Sequence, residues 1–300
     1  MTFSQMQSFI AEIAVDNGLF REEAFESRIE AIDRIDFLVM ERIDELLLQE
    51  NQQEVLLSLK HRAENLKQEL EAINTKMFQR LQARIRTGEV RGERLRELIR
   101  EYTGFDTAGS TNAGTEYDHA DIFINGLFPL QTMPEQTKEL EPEMVYYQKT
   151  PARIVFELAE KAAFTKEDIF CDIGAGLGQV AILVHLLSGV PCRGIEFEPA
   201  FCDYADHCAV QLHLPGVIFI NTDARAADYS EGTVFFMFTP FKGEILQQVL
   251  DALRKESLQR KIRIITYGPC TAQVSLQSWL QPVMPGYSHV YSPAVFSSTW

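Results

Sequence analysis

Residues 169–179 read Ile169-Phe170-Cys171-Asp172-Ile173-Gly174-Ala175-Gly176-Leu177-Gly178-Gln179. The apolar run that opens this stretch predicts a short buried strand, because charged residues precede it and glycines follow it. The three glycines let the backbone turn sharply and approach a ligand closely, since they have no Cβ. Residues 180–187 are densely apolar and predict a helix packed on a sheet. A strand, a glycine turn and a helix in this order are expected to point backbone N–H groups at a bound nucleotide.

The rest of the C-terminal half alternates strand-like and helix-like segments, as a parallel sheet with right-handed crossovers requires. Strands are predicted at 169–173, 192–196, 217–221, 233–238 and 262–267, and helices at 151–163, 179–187, 199–212 and 243–255. Two further strands are predicted at 279–283 and 287–297, joined around Pro285-Gly286.

The N-terminal half is predicted to be helical. No glycine or proline occurs between Leu19 and Thr87, and apolar residues recur three and four positions apart. The polar residues 49–54 interrupt this period, which favours two antiparallel helices, with one continuous rod as the alternative. Residues 93–102 predict a third, shorter helix.

Three segments follow from these patterns. Residues 1–102 form a helical module, which is expected to dimerise or to recognise a substrate, because a heptad-like seam of this length needs a partner surface. A helical cap that only packs on the core is the alternative. Residues 103–142 are predicted to be a linker with a short helix at 121–128, since small, polar and glycine residues dominate its first part. Residues 143–300 form the α/β domain.

Composition excludes several classes of function. The net charge of −15 argues against general nucleic-acid binding, because phosphate affinity needs clustered Lys and Arg. The five cysteines include no C-x-x-C pair and are read as reduced packing residues, with no metal site expected. No secretory signal and no apolar run of about 18–20 residues is visible, so a cytoplasmic protein without a membrane span is expected.

Acidic residues are predicted at the ends of three successive strands, at Asp172, Glu196 and Asp223. Glu196 is placed to accept both hydroxyls of a ribose. Glu198 is its competitor, and of the two one is expected to bind ribose while the other faces solvent. Asp223 alone would be read as a turn or helix cap. Three acids at one sheet edge instead predict the rim of a nucleoside pocket.

The G-x-G-x-G spacing after Asp172 resembles motif I of the class I S-adenosylmethionine-dependent methyltransferases. Dinucleotide folds favour G-x-G-x-x-G, whereas a zwitterionic ligand with a sulfonium tolerates a nearby carboxylate. The resemblance covers roughly residues 143–300. It implies an α/β fold, a Rossmann-like seven-stranded sheet that is mostly parallel and ends in an antiparallel hairpin. It also implies S-adenosylmethionine as cofactor, with Asp223 capping the adenine amino group and the Ala224 N–H reading the ring.

A closer resemblance appears upstream, in Met144-Val145-Tyr146-Tyr147-Gln148-Lys149-Thr150-Pro151. This stretch is similar to the V-Y-G-E-T-S element of the non-SET histone lysine methyltransferases of the disruptor-of-telomeric-silencing type, whose tyrosine and threonine fall on Tyr147 and Thr150. That family's G-S-G-V-G-Q-V run matches at Gly174, Gly176, Gly178, Gln179 and Val180. Its Gly-Glu is Gln148-Lys149 here, its N-N-F-A-F is Phe238-Thr239-Pro240-Phe241, and its lysine-rich extension is absent. Together the two resemblances imply cofactor contacts at Tyr147, Thr150, Asp172, Gly174, Ala175, Gly176, Gly178, Gln179, Glu196, Asp223 and Ala224.

The second resemblance implies methyl transfer to a protein amine. A small-molecule acceptor is the first alternative, and an inactive nucleotide-binding interaction protein is the second. Candidate residues on the acceptor side are Tyr147, Thr239, Phe241 and Tyr267, because aromatic rings desolvate an amine and favour loss of its proton. For Phe241 an apolar plug under the sheet edge is the alternative.

Overall fold

The computed structural model describes residues 1–48, 53–105, 118–129, 132–283 and 292–299. The strands of these residues form one sheet and are β1 Phe170–Ile173, β2 Cys192–Glu196, β3 Val217–Asn221, β4 Val234–Met237, β5 Arg263–Thr266, β6 Leu280–Pro282 and β7 Ala294–Ser298. The strand order is β3-β2-β1-β4-β5-β7-β6. Strands β1 to β5 pair in parallel, and β7 is antiparallel to both β5 and β6. The predicted Rossmann-like sheet with a terminal antiparallel hairpin is confirmed.

The strand boundaries agree closely with the sequence pattern in the parallel part and less well in the hairpin. Strands β2 and β3 begin and end as predicted, and β1, β4 and β5 are shorter by a residue at one or both ends. The hairpin strands were expected to be longer than the observed β6 and β7. The predicted turn at Pro285-Gly286, and residues 287–291 of the predicted last strand, lie outside the described residues.

Both faces of the sheet are covered, and the period of two along each strand assigns side chains to the two faces. Val234 and Phe236 of β4 belong to one buried cluster, whereas Phe235 and Met237 belong to the other. The helices of this half are α7 Ala152–Ala162, α8 Gln179–Ser188, α9 Pro199–Gln211, α10 Gly243–Ser257 and α11 Cys270–Ser275. Helices α7, α8 and α9 pack with the first cluster and α10 and α11 with the second. Strands such as β4 are apolar along nearly their whole length because both of their faces are buried.

The N-terminal half contains helices α1 Phe3–Val15, α2 Phe25–Arg34, α3 Glu41–Leu47, α4 Gln53–Arg86, α5 Glu93–Thr103 and α6 His119–Leu127, with a π-helical turn over Ile35–Met40 between α2 and α3. We call the segment from α2 to α4 the helical arm. Its two limbs, α2–α3 and α4, run antiparallel. Lys60 of α4 pairs with Asp44, whereas Lys67, which comes later in α4, pairs with the earlier residue Asp36; both pairs measure 2.6 Å. Residues 49–52, which belong to the predicted polar break, and most of the predicted linker, residues 106–117, lie outside the described residues.

The helical arm has two different environments along its length. Helices α1, α2 and α3 and the first half of α4 share a separate apolar cluster. The second half of α4, with α5 and α6, joins the cluster beneath α7 and α8. At that end the Gly92 N–H donates to the Leu186 carbonyl at 2.7 Å, and Arg86 Nε donates to the Gln211 carbonyl at 2.8 Å. The base of the arm is therefore built into the layer that covers the sheet.

The described helices include none with the combination of length and apolar character that crossing a membrane requires. The five cysteines are buried free thiols.

The strand order reverses between β1 and β4. The helix that follows β1 packs on one face of the sheet, and the helix that follows β4 packs on the other. Ligands of open α/β sheets bind in the crevice outside the carboxyl ends of the strands at such a point.

Candidate functional site

A cavity of about 450 Å³ lies at the carboxyl ends of β1, β2 and β4. It occupies the crevice that the strand order predicts. Twelve of the residues singled out from the sequence line it, namely Tyr147, Thr150, Asp172, Gly174, Ala175, Gly176, Gln179, Glu196, Asp223, Ala224, Thr239 and Phe241. Gly178 and Tyr267 do not line it.

The glycine turn between β1 and α8 needs its glycines for two different reasons. All three have positive φ, at 81° for Gly174, 52° for Gly176 and 79° for Gly178. A Cβ on Gly176 would lie 2.3 Å from Cε2 of Tyr147, in the wall of the cavity. A Cβ on Gly178 would instead lie 2.5 Å from Cζ of Phe219, in the core. The expected ligand contact at Gly178 is therefore corrected: this glycine allows the helix and sheet to pack closely.

The N–H groups of the turn do not all point outward, which corrects the expectation that they face a ligand. Those of Gly174 and Ala175 donate to the Ile195 carbonyl, and that of Gly178 donates to the Ala175 carbonyl. The Gly176 N–H donates to Oε2 of Glu196 at 2.6 Å. These four groups are satisfied within the protein, so the turn is a poor cradle for a pyrophosphate, which needs converging free donors.

Asp172 is the most unusual group of the cavity. Its side chain is 3% exposed, and its Oδ2 atom has no hydrogen-bond partner among the described residues. Burial, reinforced by the negative charge of Glu196, raises the pKa of Asp172 to about 8. Gln179 lines the same cavity and also buries a side-chain oxygen, Oε1, without a partner in the described chain. Two buried acceptor oxygens thus await donors from a ligand.

Glu196 and Glu198 both have structural partners. Oε2 of Glu196 accepts from Gly176 and Oε1 accepts from the Glu198 N–H at 2.8 Å. The Phe197 N–H is a third donor to this carboxylate, which has about four lone-pair sites, so one site is left for a further donor. Burial raises the pKa of Glu196. Glu198 does not face solvent, as had been expected of one of the pair: it is buried and accepts from the N–H groups of Thr137 and Lys138 and from the Thr137 hydroxyl.

A segment without regular secondary structure crosses the cavity, and we call residues 132–150 the strap. Its residues Gln136, Leu140 and 144–148 line the cavity. The Val145 N–H donates to the Pro240 carbonyl at 3.0 Å, and the Lys242 N–H donates to the Glu143 carbonyl at 2.9 Å. The strap therefore lies beside the loop that follows β4 and covers the opening between β1 and β4.

Tyr147 and Thr150 belong to the strap, and both line the cavity. The Tyr147 ring packs over Gly176 and meets Phe201 of α9 edge to face, with 5.6 Å between ring centroids. The Thr150 carbonyl accepts from Nε2 of Gln179 at 3.4 Å, which orients the amide so that Oε1 is left for a ligand.

Asp223 lies at the rim, just after β3, and its carboxylate is already paired. Oδ1 accepts from the Arg225 N–H at 2.8 Å and from Arg225 Nε at 3.0 Å, and Oδ2 accepts from Arg225 Nη2 at 2.6 Å. These bonds to Arg225 lower the pKa of Asp223. The turn-cap interpretation and the cavity-rim interpretation therefore both hold for this residue.

The loop after β4 contributes two of the proposed acceptor-side residues. Thr239 has a φ of 41°, and its hydroxyl donates to the Tyr267 carbonyl at 3.3 Å and accepts from the Cys270 N–H at 3.2 Å. The hydroxyl thus holds two loops together. Phe241 is buried in the cluster beneath the sheet and also lines the cavity. The two interpretations of this residue, an apolar plug and a cavity wall, are therefore compatible.

Tyr267 is corrected as a channel-shaping residue. It is 3% exposed, does not line the cavity, and its ring packs against Phe238 with 4.7 Å between centroids. Phe238 lines the cavity in its place. Strand β5 ends one residue before Tyr267, so the side chain is directed into the core rather than over the carboxyl edge of the sheet.

Several lining residues were not predicted. Phe201 and Leu246 lie in the first turns of α9 and α10, which follow β2 and β4. Apolar residues that open a helix directly after a strand face the carboxyl edge of the sheet, so this signal was available in the sequence. Gln136 and Leu140 of the strap carried no such signal, because that segment has no period.

The described residues also bring Glu26, Glu30 and His119 together on the surface, with ligand-type atoms within 4.8 Å of one another. His119 Nδ1 lies 3.0 Å from Oε1 of Glu26. The group lies at the junction of α2 and α6, outside the cavity, and exposed acidic groups commonly form such clusters without a metal.

Comparison with known proteins gives structural matches only. No protein-family model and no curated protein matches the sequence. An RNA methyltransferase from Salinibacter ruber in complex with S-adenosyl-L-homocysteine is 21% identical, with a TM-score of 0.39, over 50% of this chain and 92% of that one. The putative methyltransferase yhhF from Escherichia coli is 14% identical, with a TM-score of 0.43, over 50% and 89%. A precorrin-6y C5,15-methyltransferase from Geobacter metallireducens is 15% identical, with a TM-score of 0.37, over 52% and 92%. Likeness at this level carries no conclusion about activity.

Proposed function

We propose that the chain is an S-adenosylmethionine-dependent methyltransferase whose cofactor binds in the cavity beneath the strap. The observation that carries this proposal is the buried carboxyl group of Asp172, a residue that lines a ligand-sized cavity and whose Oδ2 atom has no hydrogen-bond partner among the described residues. A buried polar atom without a partner costs about 1–3 kcal/mol. An ammonium group would satisfy this oxygen, and S-adenosylmethionine carries one on its amino-acid moiety.

The charge of the cavity supports a cationic ligand over a dinucleotide. Glu196 and Asp223 line the cavity together with Asp172, and a carboxylate such as that of Asp223, whose pKa is lowered, would repel a pyrophosphate. The N–H groups of the glycine turn that would bind phosphate are largely satisfied within the protein. A sulfonium and an ammonium, by contrast, gain from nearby carboxylates.

The remaining lining residues fit the other parts of the cofactor. Glu196 is assigned to the ribose, since its carboxylate lines the cavity and keeps a lone-pair site beyond its three backbone donors. Asp223, with Ala224, is assigned to the adenine, and Gln179, with Thr150 and Tyr147, to the amino-acid moiety. The absence of a Cβ at Gly174 and Gly176 lets Pro240 and Tyr147, which line the cavity, pack directly on the glycine turn.

The bound cofactor supplies an electrophilic methyl group, which an acceptor lone pair attacks in line with the carbon–sulfur bond. The protein contributes by positioning, because proximity and alignment supply most of the rate of such a displacement. Tyr147 from the strap and Phe241 from the loop after β4 wall the space beside the glycine turn. These rings exclude water from an acceptor amine and favour its neutral, nucleophilic form.

The acceptor class that we propose is an amine on a protein, as the similarity to the histone lysine methyltransferases of the non-SET type implies. Two features of the surface support it. The strap exposes Tyr146, and its neighbours Glu135 and Glu139 are exposed acids that attract a cationic side chain. The net charge of −15 also attracts a cationic acceptor, over a longer range.

Calorimetry with S-adenosylhomocysteine tests the cofactor site. We expect binding to the intact protein, loss of binding in Glu196→Ala, and at least tenfold weaker binding in Gly176→Ala, whose new Cβ would overlap the Tyr147 ring. Gly189→Ala is the matched control: its φ of 77° imposes similar backbone strain, but nothing lies within 4 Å of the added Cβ. Equal affinity in Gly176→Ala and Gly189→Ala would overturn the site.

Incubation with methyl-labelled cofactor and fractionated cell extract tests the activity and the acceptor. Label in the protein fraction that survives mild base supports an amine acceptor. Label only in low-mass compounds replaces the protein acceptor by a small molecule. Binding without any transfer of label would show a cofactor-binding protein that does not turn over.

A further inference from the structure

Arg225 connects the rim of the cavity to the strap. Its Nε and Nη2 atoms donate to the Asp223 carboxylate, and its Nη1 donates to Oε2 of Glu141 at 3.1 Å. A second bond runs from Nη2 to the other oxygen of Glu141. Glu141 itself does not line the cavity, whereas Asp223 does. One guanidinium therefore holds two carboxylates, one facing the ligand space and one on the strap.

We propose that Glu141 is a positioning residue for adenine recognition, acting through Arg225 on Asp223. The proposal rests on the proposed function, since it assumes that Asp223 meets the adenine amino group. It assigns to the strap a role in selecting the base of the cofactor, in addition to covering the cavity.

The geometry of the Arg225 guanidinium explains how Glu141 can affect Asp223. Its five donors form a rigid planar fork that matches carboxylates two bonds at a time. A free arginine side chain loses rotamer entropy when it is held in one orientation. Glu141 holds one side of the fork, so the other side presents Nε and Nη2 to Asp223 in a fixed direction. Without Glu141, the Arg225 and Asp223 side chains would sample more orientations.

The hydrogen bonds of Asp223 show how far Arg225 controls its carboxylate. Oδ1 accepts from the Arg225 backbone N–H at 2.8 Å and from Nε at 3.0 Å, and Oδ2 accepts from Nη2 at 2.6 Å and from Nε at 3.2 Å. Because Arg225 donates to both oxygens, the direction in which the carboxylate faces an adenine amino group depends on where Arg225 is held.

The coupling makes a prediction that depends on the base. S-adenosylhomocysteine has an amino group at the 6-position, which donates to Asp223. S-inosylhomocysteine has a carbonyl oxygen there, which gains nothing from a well-placed carboxylate. A residue that only holds the strap closed would affect both ligands equally, whereas a residue that orients Asp223 would affect their ratio.

The experiment compares the dissociation constants of these two ligands in the intact protein and in Glu141→Gln, measured by calorimetry. We expect Glu141→Gln to bind S-adenosylhomocysteine about two- to fivefold more weakly, which is the range for partly exposed ion pairs. Binding of S-inosylhomocysteine should be unchanged, so the preference for adenine falls by the same factor. Glu167→Gln, at an exposed position shortly before β1, removes the same charge and should change neither constant.

Arg225→Lys tests the route. It keeps the positive charge but not the planar fork, so it should lower the preference for adenine, and adding Glu141→Gln to it should cause little further loss. Equal weakening of both ligands by Glu141→Gln, or no change in either, would overturn the proposal while leaving the proposed function intact. Failure of the unaltered protein to bind S-adenosylhomocysteine would overturn both. Circular dichroism melting curves check that all variants are folded.

Discussion

Asp172 shows most clearly at the residue scale how this site differs from a packed core. A buried carboxyl group normally has a full set of partners, because burying it without them is costly. Here one oxygen has none among the described residues, and the carboxyl group of Glu196 also raises the pKa of Asp172. With a pKa of about 8 the Asp172 carboxyl group holds its proton at neutral pH, and a cation beside it would favour release of that proton.

The raised pKa of Asp172 predicts how stability depends on pH. The pKa is about 3.9 in the unfolded chain and about 8 in the folded protein, so the folded state holds the extra proton between these values. The contribution of this group to stability is therefore full below about pH 4, falls as pH rises, and is lost above about pH 8. We therefore compare the free energy of unfolding of Asp172→Asn with that of the unaltered protein. We expect the difference between them to shift in favour of the variant by roughly 2–4 kcal/mol from pH 5 to pH 8.

Urea denaturation at several pH values, without ligand, measures this difference. Asp203→Asn, at an exposed position of α9, serves as the control and should follow the unaltered protein. Parallel pH profiles for Asp172→Asn and the unaltered protein would show that Asp172 ionises normally.

At the scale of elements, the strap is held differently at its two ends. Its second half is joined to the loop after β4 by backbone hydrogen bonds at Glu143 and Val145. Its first half is held mainly through the buried carboxylate of Glu198, which also caps α9 by accepting from the Ala200 N–H. A single side chain therefore joins the beginning of α9 to the cover of the cavity.

Glu198→Gln separates these two roles. In the carboxylate, Oε2 accepts from Thr137 and Lys138, while Oε1 accepts from Ala200. The variant's amide oxygen can keep the cap, but its NH₂ group then faces two N–H donors and repels them. We expect amide hydrogen exchange at Thr137 and Lys138 to become about tenfold faster, equivalent to about 1.4 kcal/mol, and exchange within α9 to stay the same. Unchanged exchange at both strap positions would show that the strap is held by other contacts.

At the scale of the whole molecule, the helical arm presents apolar side chains to solvent. Phe37 is 64% exposed and Leu38 is 40% exposed, both in the π-helical turn. Near the tip, Leu48, Val55 and Leu57 are also exposed. Single exposed apolar residues are common, but several along one projecting element favour a partner. The heptad-like seam of α4, from which the sequence predicted a dimer, is buried against α1, α2 and α3 of the same chain. From the exposed residues instead, we propose that the arms of two copies associate.

Sedimentation velocity tests this association. We expect the unaltered protein to be a dimer, and Phe37→Glu combined with Leu38→Glu to be a monomer, because two buried charges at an interface are costly. Val210→Glu is a matched control, since Val210 is as exposed as Phe37 but lies on α9. A monomeric unaltered protein, or a dimer that survives the double substitution, would contradict the proposal.

The sequence by itself determined the features that depend on residues close together in the chain. The alternation of strands and helices, the glycine turn, and the positions of Asp172, Glu196 and Asp223 at strand ends follow from local periods and from the requirement for positive φ. These patterns were sufficient to predict the sheet and most of the cavity lining, because a parallel sheet brings the carboxyl ends of its strands to one edge.

Only the tertiary structure decided which partner each of those groups has. Thr137 and Glu198 are 61 positions apart, and Glu141 and Arg225 are 84 apart, so no local period relates them. The inward direction of the glycine-turn N–H groups and the place of Tyr267 behind Phe238 likewise depend on how distant segments pack. The physical reason is that hydrogen bonds and packing act over a few ångströms in space, whereas a sequence pattern records only separation along the chain.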